Sequence, residues 1–215
     1  GNTPPVAVST LTSLLSSNDD QLRTAAAVAL GYAGKSASSA IPHLAALLRD
    51  PAPGPRNGAA RALGRIGGLP SDVRTEITGL LHDPNRDVRL SALAAIELVG
   101  RPTSEELRAL EVALRDADPL IATSAARLLS RYGSKNAATL PLIARLLASP
   151  DASVRYDAQD ALDQSKEIPA AAVPALLSAL RANDPLVRAT AASALGRARV
   201  PSAIVLRELG KALHD

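Results

Sequence analysis

Residues 41–67 read IPHLAALLRDPAPGPRNGAARALGRIG, and two helical runs lie inside them. In the first, Ile41, Leu44, Leu47 and Leu48 place apolar side chains on one face of a helix. The run breaks at Asp50-Pro51-Ala52-Pro53, a turn composition whose prolines suit the opening turn of a new helix. The second run, rich in Ala and Leu, closes at Gly67, because glycine adopts the left-handed conformation of a helix C-terminus without penalty. The stretch is therefore a hairpin of two short helices.

The hairpin repeats. Arg56 belongs to a register of Arg23, Arg56, Arg89, Arg155 and Arg188, spaced by 33 residues or twice that, with Ala122 in the missing place. Three positions on, the residue is always alanine: Ala26, Ala59, Ala92, Ala125, Ala158 and Ala191. Four further on stand Leu30, Leu63, Ile96, Leu129, Leu162 and Leu195. In the first helices one column is Leu15, Leu48, Leu81, Leu114, Leu147, Leu180 and Leu213, beside Leu11, Leu44, Ile77, Leu110, Ile143, Leu176 and Leu209. A period this regular marks a stack of helical units, since a lone two-helix hairpin cannot bury its apolar face. The small Ala column is expected where successive second helices lie side by side. Turns such as Asp83-Pro84-Asn85 and Asn183-Asp184-Pro185 supply caps for the second helices. Gly34, Gly67, Gly100 and Gly133 end them, whereas Lys166 and Arg199 replace glycine in the last two units.

Composition agrees with thin layers of helices. The 215 residues are 47% hydrophobic, yet contain no Phe, Trp, Met or Cys and only three Tyr. A wide globular core of this size draws on aromatic side chains. The net charge of +3, from 24 basic and 21 acidic residues, does not mark a nucleic-acid or membrane-surface protein. No apolar run reaches the ~18 residues of a membrane span, and no signal peptide is evident. The absence of cysteine excludes disulfides and thiolate metal sites without fixing a compartment. Gly1 in place of Met reads as a tag remnant on a fragment of a longer protein.

The phrase IPHLAALLRDP followed by R-x-x-A-A-x-A-L-G-x-I-G at Arg56–Gly67 resembles the HEAT-repeat family, in particular its short bacterial type similar to phycobilisome-lyase repeats. The resemblance spans residues 5–215 and implies an all-α, right-handed α-solenoid of about six 33-residue hairpins plus a C-terminal helix. The expected units lie near 5–36, 37–69, 70–102, 103–135, 136–168 and 169–200, with a half unit at 201–215, in one solenoid over 1–215. The resemblance also implies kink-prone prolines in first helices, matched by Pro42, Pro141 and Pro174. It implies a ladder between a turn Asp and the second-helix Arg. The turn register here is Asp19, Ala52, Asn85, Asp118, Asp151 and Asp184.

A search for chemistry finds little. His43, His82 and His214 have no metal-ligand spacing, and there is no P-loop or G-x-S-x-G. The His-Glu pairs of the HEAT-like deoxyhypusine hydroxylases and the aromatic face of HEAT-like DNA glycosylases are missing too. The reading is of a chain that is not an enzyme and takes no cofactor or metal. Its expected role is that of a non-catalytic interaction scaffold.

In the HEAT family the second helices line the concave side. At about 100° per residue, the columns opposite the buried Ala start at Thr24, Val28 and Gly31, with Tyr32 on the flank. They lead to Arg61, Arg65, Arg127, Arg131, Tyr156, Asp160, Asp163 and Arg197 as the expected partner-binding residues, basic in units two and four and acidic in unit five. The expected partner is a protein or peptide of complementary charge. One alternative is a phycobilin-lyase-like subunit handling chromophore and protein, implied by the resemblance. The other is nucleic-acid backbone binding through the Arg pairs, disfavoured by the charge balance and the few aromatics.

Overall fold

The computed structural model describes residues 4–133, 139–198 and 210, and it is helical throughout its regular segments. Helices alternate along the chain as first and second members of hairpins. Residues 1–109 form one compact unit and residues 110–215 another. Unit 1 holds α1 (Pro5–Leu14), α2 (Asp20–Ala33), α3 (Ile41–Leu47), α4 (Pro53–Ile66), α5 (Ser71–Gly79) and α6 (Arg86–Val99). The helix α7 (Ser104–Ala113) runs across the division. Unit 2 continues with α8 (Pro119–Gly133), α9 (Leu140–Leu146), α10 (Ala152–Asp163), α11 (Val173–Ala179) and α12 (Pro185–Gly196). The expected half unit at 201–215 and Arg199 lie outside the described residues, Gly210 apart.

The second helices start where the turn chemistry says they should. Asp19, Asn85 and Asp151 each accept hydrogen bonds from two backbone amides in the next turn, as with Gln21 at 2.8 Å and Leu22 at 3.3 Å from Asp19. Asp118 accepts from the Leu120 amide and Asp184 from the Leu186 amide. Ala52 cannot, and α4 begins instead with a proline. α2, α4 and α6 end at Gly34, Gly67 and Gly100, all at positive φ. α10, without a glycine, stops at Gln164 in right-handed helical geometry.

Pro42, Pro141 and Pro174 do not kink their helices. Each is the second residue of α3, α9 or α11, where its missing N–H is one of those the first turn leaves unpaired anyway. α7 opens on a reciprocal cap: the Thr103 hydroxyl accepts from the Glu106 amide at 3.2 Å, and the Glu106 carboxylate accepts from the Thr103 amide at 2.6 Å.

Within unit 1, α2 packs on α4 and α4 on α6; within unit 2, α8 packs on α10 and α10 on α12. The Ala column from Ala59 to Ala191 is fully buried, as are Leu30, Leu63, Leu129 and Leu162. The tightest approach lies elsewhere, however. A Cβ added at Gly31 would stand 2.8 Å from Ala62 Cα, and one at Gly64 would stand 2.7 Å from Ala95 Cα. Gly31, expected on the outward face, is therefore buried at the contact between α2 and α4. A second helix packs against its own first helix and against neighbouring second helices, so it buries two adjoining stripes rather than one.

Candidate functional site

The outward side of the second helices begins one residue past that glycine stripe. In unit 1, Tyr32 lies in the last turn of α2 and is 75% exposed, and Leu98 lies in the last turn of α6 and is 56% exposed. Between them in register stands Arg65 of α4, its guanidinium carbon 4.5 Å from the centre of the Tyr32 ring. That distance is a cation–π contact, in which the face of the ring attracts the charge. Arg61 lies one turn earlier on α4, is exposed, and makes no ion pair or hydrogen bond among the described residues.

Unit 2 treats its charges differently. Arg127 of α8 pairs with Asp157 of α10 at 3.3 Å, so one member of the expected basic pair is neutralised by the neighbouring helix. Arg131 is exposed and has an interaction of its own. On α10, Tyr156 is 66% exposed, and Asp160 accepts from the Gln164 side chain at 2.6 Å. Arg197, just past α12, binds Asp163 at 3.4 Å and donates to the backbone carbonyls of Leu162 and Asp163. Those carbonyls belong to the C-terminal turn of α10, so Arg197 acts there as the cap that glycine provides elsewhere. The structure thus brings Asp163 and Arg197 together, and it brings Tyr32 to Arg65.

On the turn side of the hairpins runs a ladder of charge. The Arg23 guanidinium grips Asp50 through two hydrogen bonds of 2.8 and 2.9 Å, and Arg56 grips Asp83 through two of 2.7 and 2.9 Å. Each arginine also donates to turn carbonyls, Arg23 to Ser17 and Arg56 to Asp50 and Pro51. The partner is not the capping Asp column expected from sequence but the residue two places earlier, contributed by the following hairpin. The capping carboxylates are already spent on amides. Asp184 still reaches Arg155, at 3.7 Å.

Burial by itself would raise the Asp50 and Asp83 carboxyls. Hydrogen bonds from Arg23 and the Ala52 amide hold the first below its ordinary range, and those from Arg56 and the Asn85 amide hold the second there. The following arginine, Arg56 or Arg89 respectively, adds its charge. Nearby, Arg74 makes a two-pronged pair with the buried Glu106 carboxylate, tying α5 to the cap of α7.

No cluster of three or more His, Cys, Asp or Glu fit to hold a metal occurs among the described residues. No helix among them is long and apolar enough to cross a membrane. Shallow clefts among the described residues include two that each lie within one unit. One, of about 320 Å³, lies in unit 2 among Leu114, Ala126, Arg145, Leu146 and Val154. The other, of about 400 Å³, lies in unit 1 between α1 and α3 and is lined by Ser9, Thr12, Ser13, Ser16, Ser39 and His43.

Comparison with known proteins agrees with this architecture. Among solved structures, an engineered protein superposes with a TM-score of 0.61 at 24% identity, over 88% of this chain and 95% of that one. The CpcE–CpcF complex of phycocyanin lyase from Nostoc sp. PCC7120 gives 0.60 at 24% identity, over 91% and 78%. A designed armadillo repeat protein in complex with the peptide (KR)4 gives 0.65 at 19% identity, over 88% and 98%. At these identities the likeness is one of fold. No curated protein matches the chain in sequence. The HEAT repeats family, in contrast, matches at residues 8–77, 75–163 and 139–215. With hairpin, register, caps and packing all of this kind, the chain belongs to the HEAT-repeat family.

Proposed function

We propose that the chain is a non-catalytic scaffold that binds a protein or peptide on the outward face of its second helices, through Arg61, Arg65, Arg127, Arg131, Tyr156, Asp160, Asp163 and Arg197. One observation carries the reading. The chain has three aromatic residues, and two of them, Tyr32 and Tyr156, stand exposed on this face instead of filling the core. Tyrosine gives a large, rigid contact area with a polar tip, and is enriched among the residues that dominate binding energy at interfaces. Arginines flank both: Arg65 lies over Tyr32, and Arg127 holds Asp157 beside Tyr156. A designed armadillo repeat protein of similar fold was solved with a peptide, which supports peptide recognition as a use of such architecture.

The test is a selection of random displayed peptides on the whole chain, followed by affinity measurements on variants. Arg61→Glu and Tyr156→Ala should each weaken the selected peptides about tenfold or more if they are hot-spot contacts. Arg108→Glu, on an exposed position of the first helix α7, should not. Peptides that bind all three variants as well as the parent would place the docking surface elsewhere.

A further inference from the structure

We infer that the outward face of unit 1 recognises an acidic peptide segment bearing a bulky apolar side chain, held by Arg61 and Arg65 beside Tyr32 and Leu98. This rests on the docking role of the second helices and specifies the chemistry of the partner.

Many arginines of this chain already have partners within it. Arg23, Arg56, Arg74, Arg127, Arg155 and Arg197 are all engaged with carboxylates. Arg61 is exposed and unpaired among the described residues, and Arg65 has a ring beneath it but no carboxylate. Stacking on Tyr32 fixes the plane of the Arg65 guanidinium while leaving its N–H edge for a ligand. A fork oriented in that way suits a carboxylate with two parallel acceptors. The nearby acidic residue, Glu97 on α6, already has a partner of its own.

Tyr32, Arg65 and Leu98 occupy one register on three successive second helices, α2, α4 and α6. The glycine–alanine contacts bring neighbouring helices close, at the short end of the usual 8–10 Å between axes. The row then spans about 16–20 Å, which five or six extended residues cover at about 3.3 Å each. A segment crossing the helices would lay its apolar side chain on Leu98 at one end of the row and its acids on the arginines, with the Tyr32 ring at the other end. The row lies in the last helical turns, where the helix dipole is negative, so the deeper Arg61 is the stronger acid contact. Nucleic acid fits less well: two arginines neutralise few phosphates, and Leu98 gives an aliphatic contact rather than a stacking surface.

The experiment uses the whole chain and fluorescent octapeptides that repeat Glu-Glu-Leu-Leu (the Glu-Leu peptide) or Lys-Lys-Leu-Leu (the Lys-Leu peptide), so that each face of an extended chain carries both residue types, with an oligo-dT strand as a third probe. The Glu-Leu peptide should bind about tenfold or more tightly than the Lys-Leu peptide at low salt. Its affinity should fall about tenfold in Arg61→Gln/Arg65→Gln and severalfold in Leu98→Ser, and stay unchanged in Arg108→Gln, on the exposed side of the first helix α7. Equal binding of the two peptides, or an unaffected double variant, overturns the inference. So does retention of oligo-dT with loss of both peptides, which would mark a nucleic-acid face. If peptides selected at random still depend on Tyr156 while the Glu-Leu peptide does not bind, the acidic site alone is overturned and the docking role stands.

Discussion

Replacing Asp83 by Asn is the sharpest probe of what holds successive hairpins together. The substitution is nearly isosteric, and the new amide oxygen can still accept from the Asn85 amide now at 2.8 Å. What it removes is the charge gripped by Arg56 through bonds of 2.7 and 2.9 Å. The Asp83 side chain is 5% exposed and that of Arg56 12%, so neither can regain full hydration. Exposed ion pairs contribute about 0–1 kcal/mol, whereas removing one member of a buried pair costs about 3–5 kcal/mol. This pair lies at the rim of the core, and a loss of about 2–4 kcal/mol follows. Equilibrium urea unfolding, followed by circular dichroism, measures it. A double-mutant cycle with Arg56→Met, which keeps the aliphatic stem, should return a coupling above about 1.5 kcal/mol. The pH dependence supplies a second reading. The folded Asp83 carboxyl titrates below its unfolded value of about 3.9, so its contribution is complete above about pH 5. It is lost as pH falls through the folded value. The stability gap between parent and variant should therefore close on acidification. A coupling below about 0.5 kcal/mol, or a gap that persists unchanged to low pH, would refute the ladder as a structural element.

Three further substitutions test the packing and the caps. Gly64→Ala raises intrinsic helix propensity by up to about 1 kcal/mol, yet should destabilise by about 1–3 kcal/mol because its Cβ meets Ala95 Cα at 2.7 Å; Gly79→Ala, with open space around it, should be neutral or stabilising in the same urea titration. Thr103→Ala removes the hydroxyl half of the α7 cap and should cost about 1 kcal/mol, with hydrogen exchange quickening first at the Glu106 amide.

Much of this was legible in residues 41–67. The helical spacing of Ile41–Leu48, the turn and the closing Gly67 gave the hairpin, and the Arg register gave its repetition. Caps and helix ends followed because they depend on local chemistry: Asp19 is an N-cap and Gly34 a positive-φ terminus by virtue of their own side chains. Features set by the relative stagger of helices were not legible. Column arithmetic treats residues 33 apart as neighbours, but Arg127 meets a residue 30 ahead and Asp163 one 34 ahead. The same limit misassigned the ladder. Asp83 and Asn85 lie in the same turn, and because the Asn85 side chain is taken by the Asp87 and Val88 amides, Asp83 is the one that faces Arg56. A single buried stripe per helix puts Gly31 on the outward face, whereas stacking demands two stripes and buries it. For the site, the sequence supplied the outward residues but not the pairing that sets Arg61 and Arg65 apart from Arg127 and Arg197.

That pairing separates support from recognition. The inward columns hardly vary from unit to unit: Ala26, Ala59, Ala92, Ala125, Ala158 and Ala191 do one job in a close-packed layer, where an added methylene would be felt. The outward column beginning at Val28 runs Arg61, Ala94, Arg127, Asp160 and Ser193, and changes in size and sign at almost every step. Packing does not explain the variation, since these positions carry little of the core. Stability does not explain it either, because an exposed charge without a partner contributes almost nothing to folding. Some outward residues do acquire structural work, as Arg197 does by capping α10. Arg61 has no such work, and Arg65 has only the ring beneath it. In a chain that ties so many arginines to carboxylates, those two stand ready for an acid supplied by another molecule.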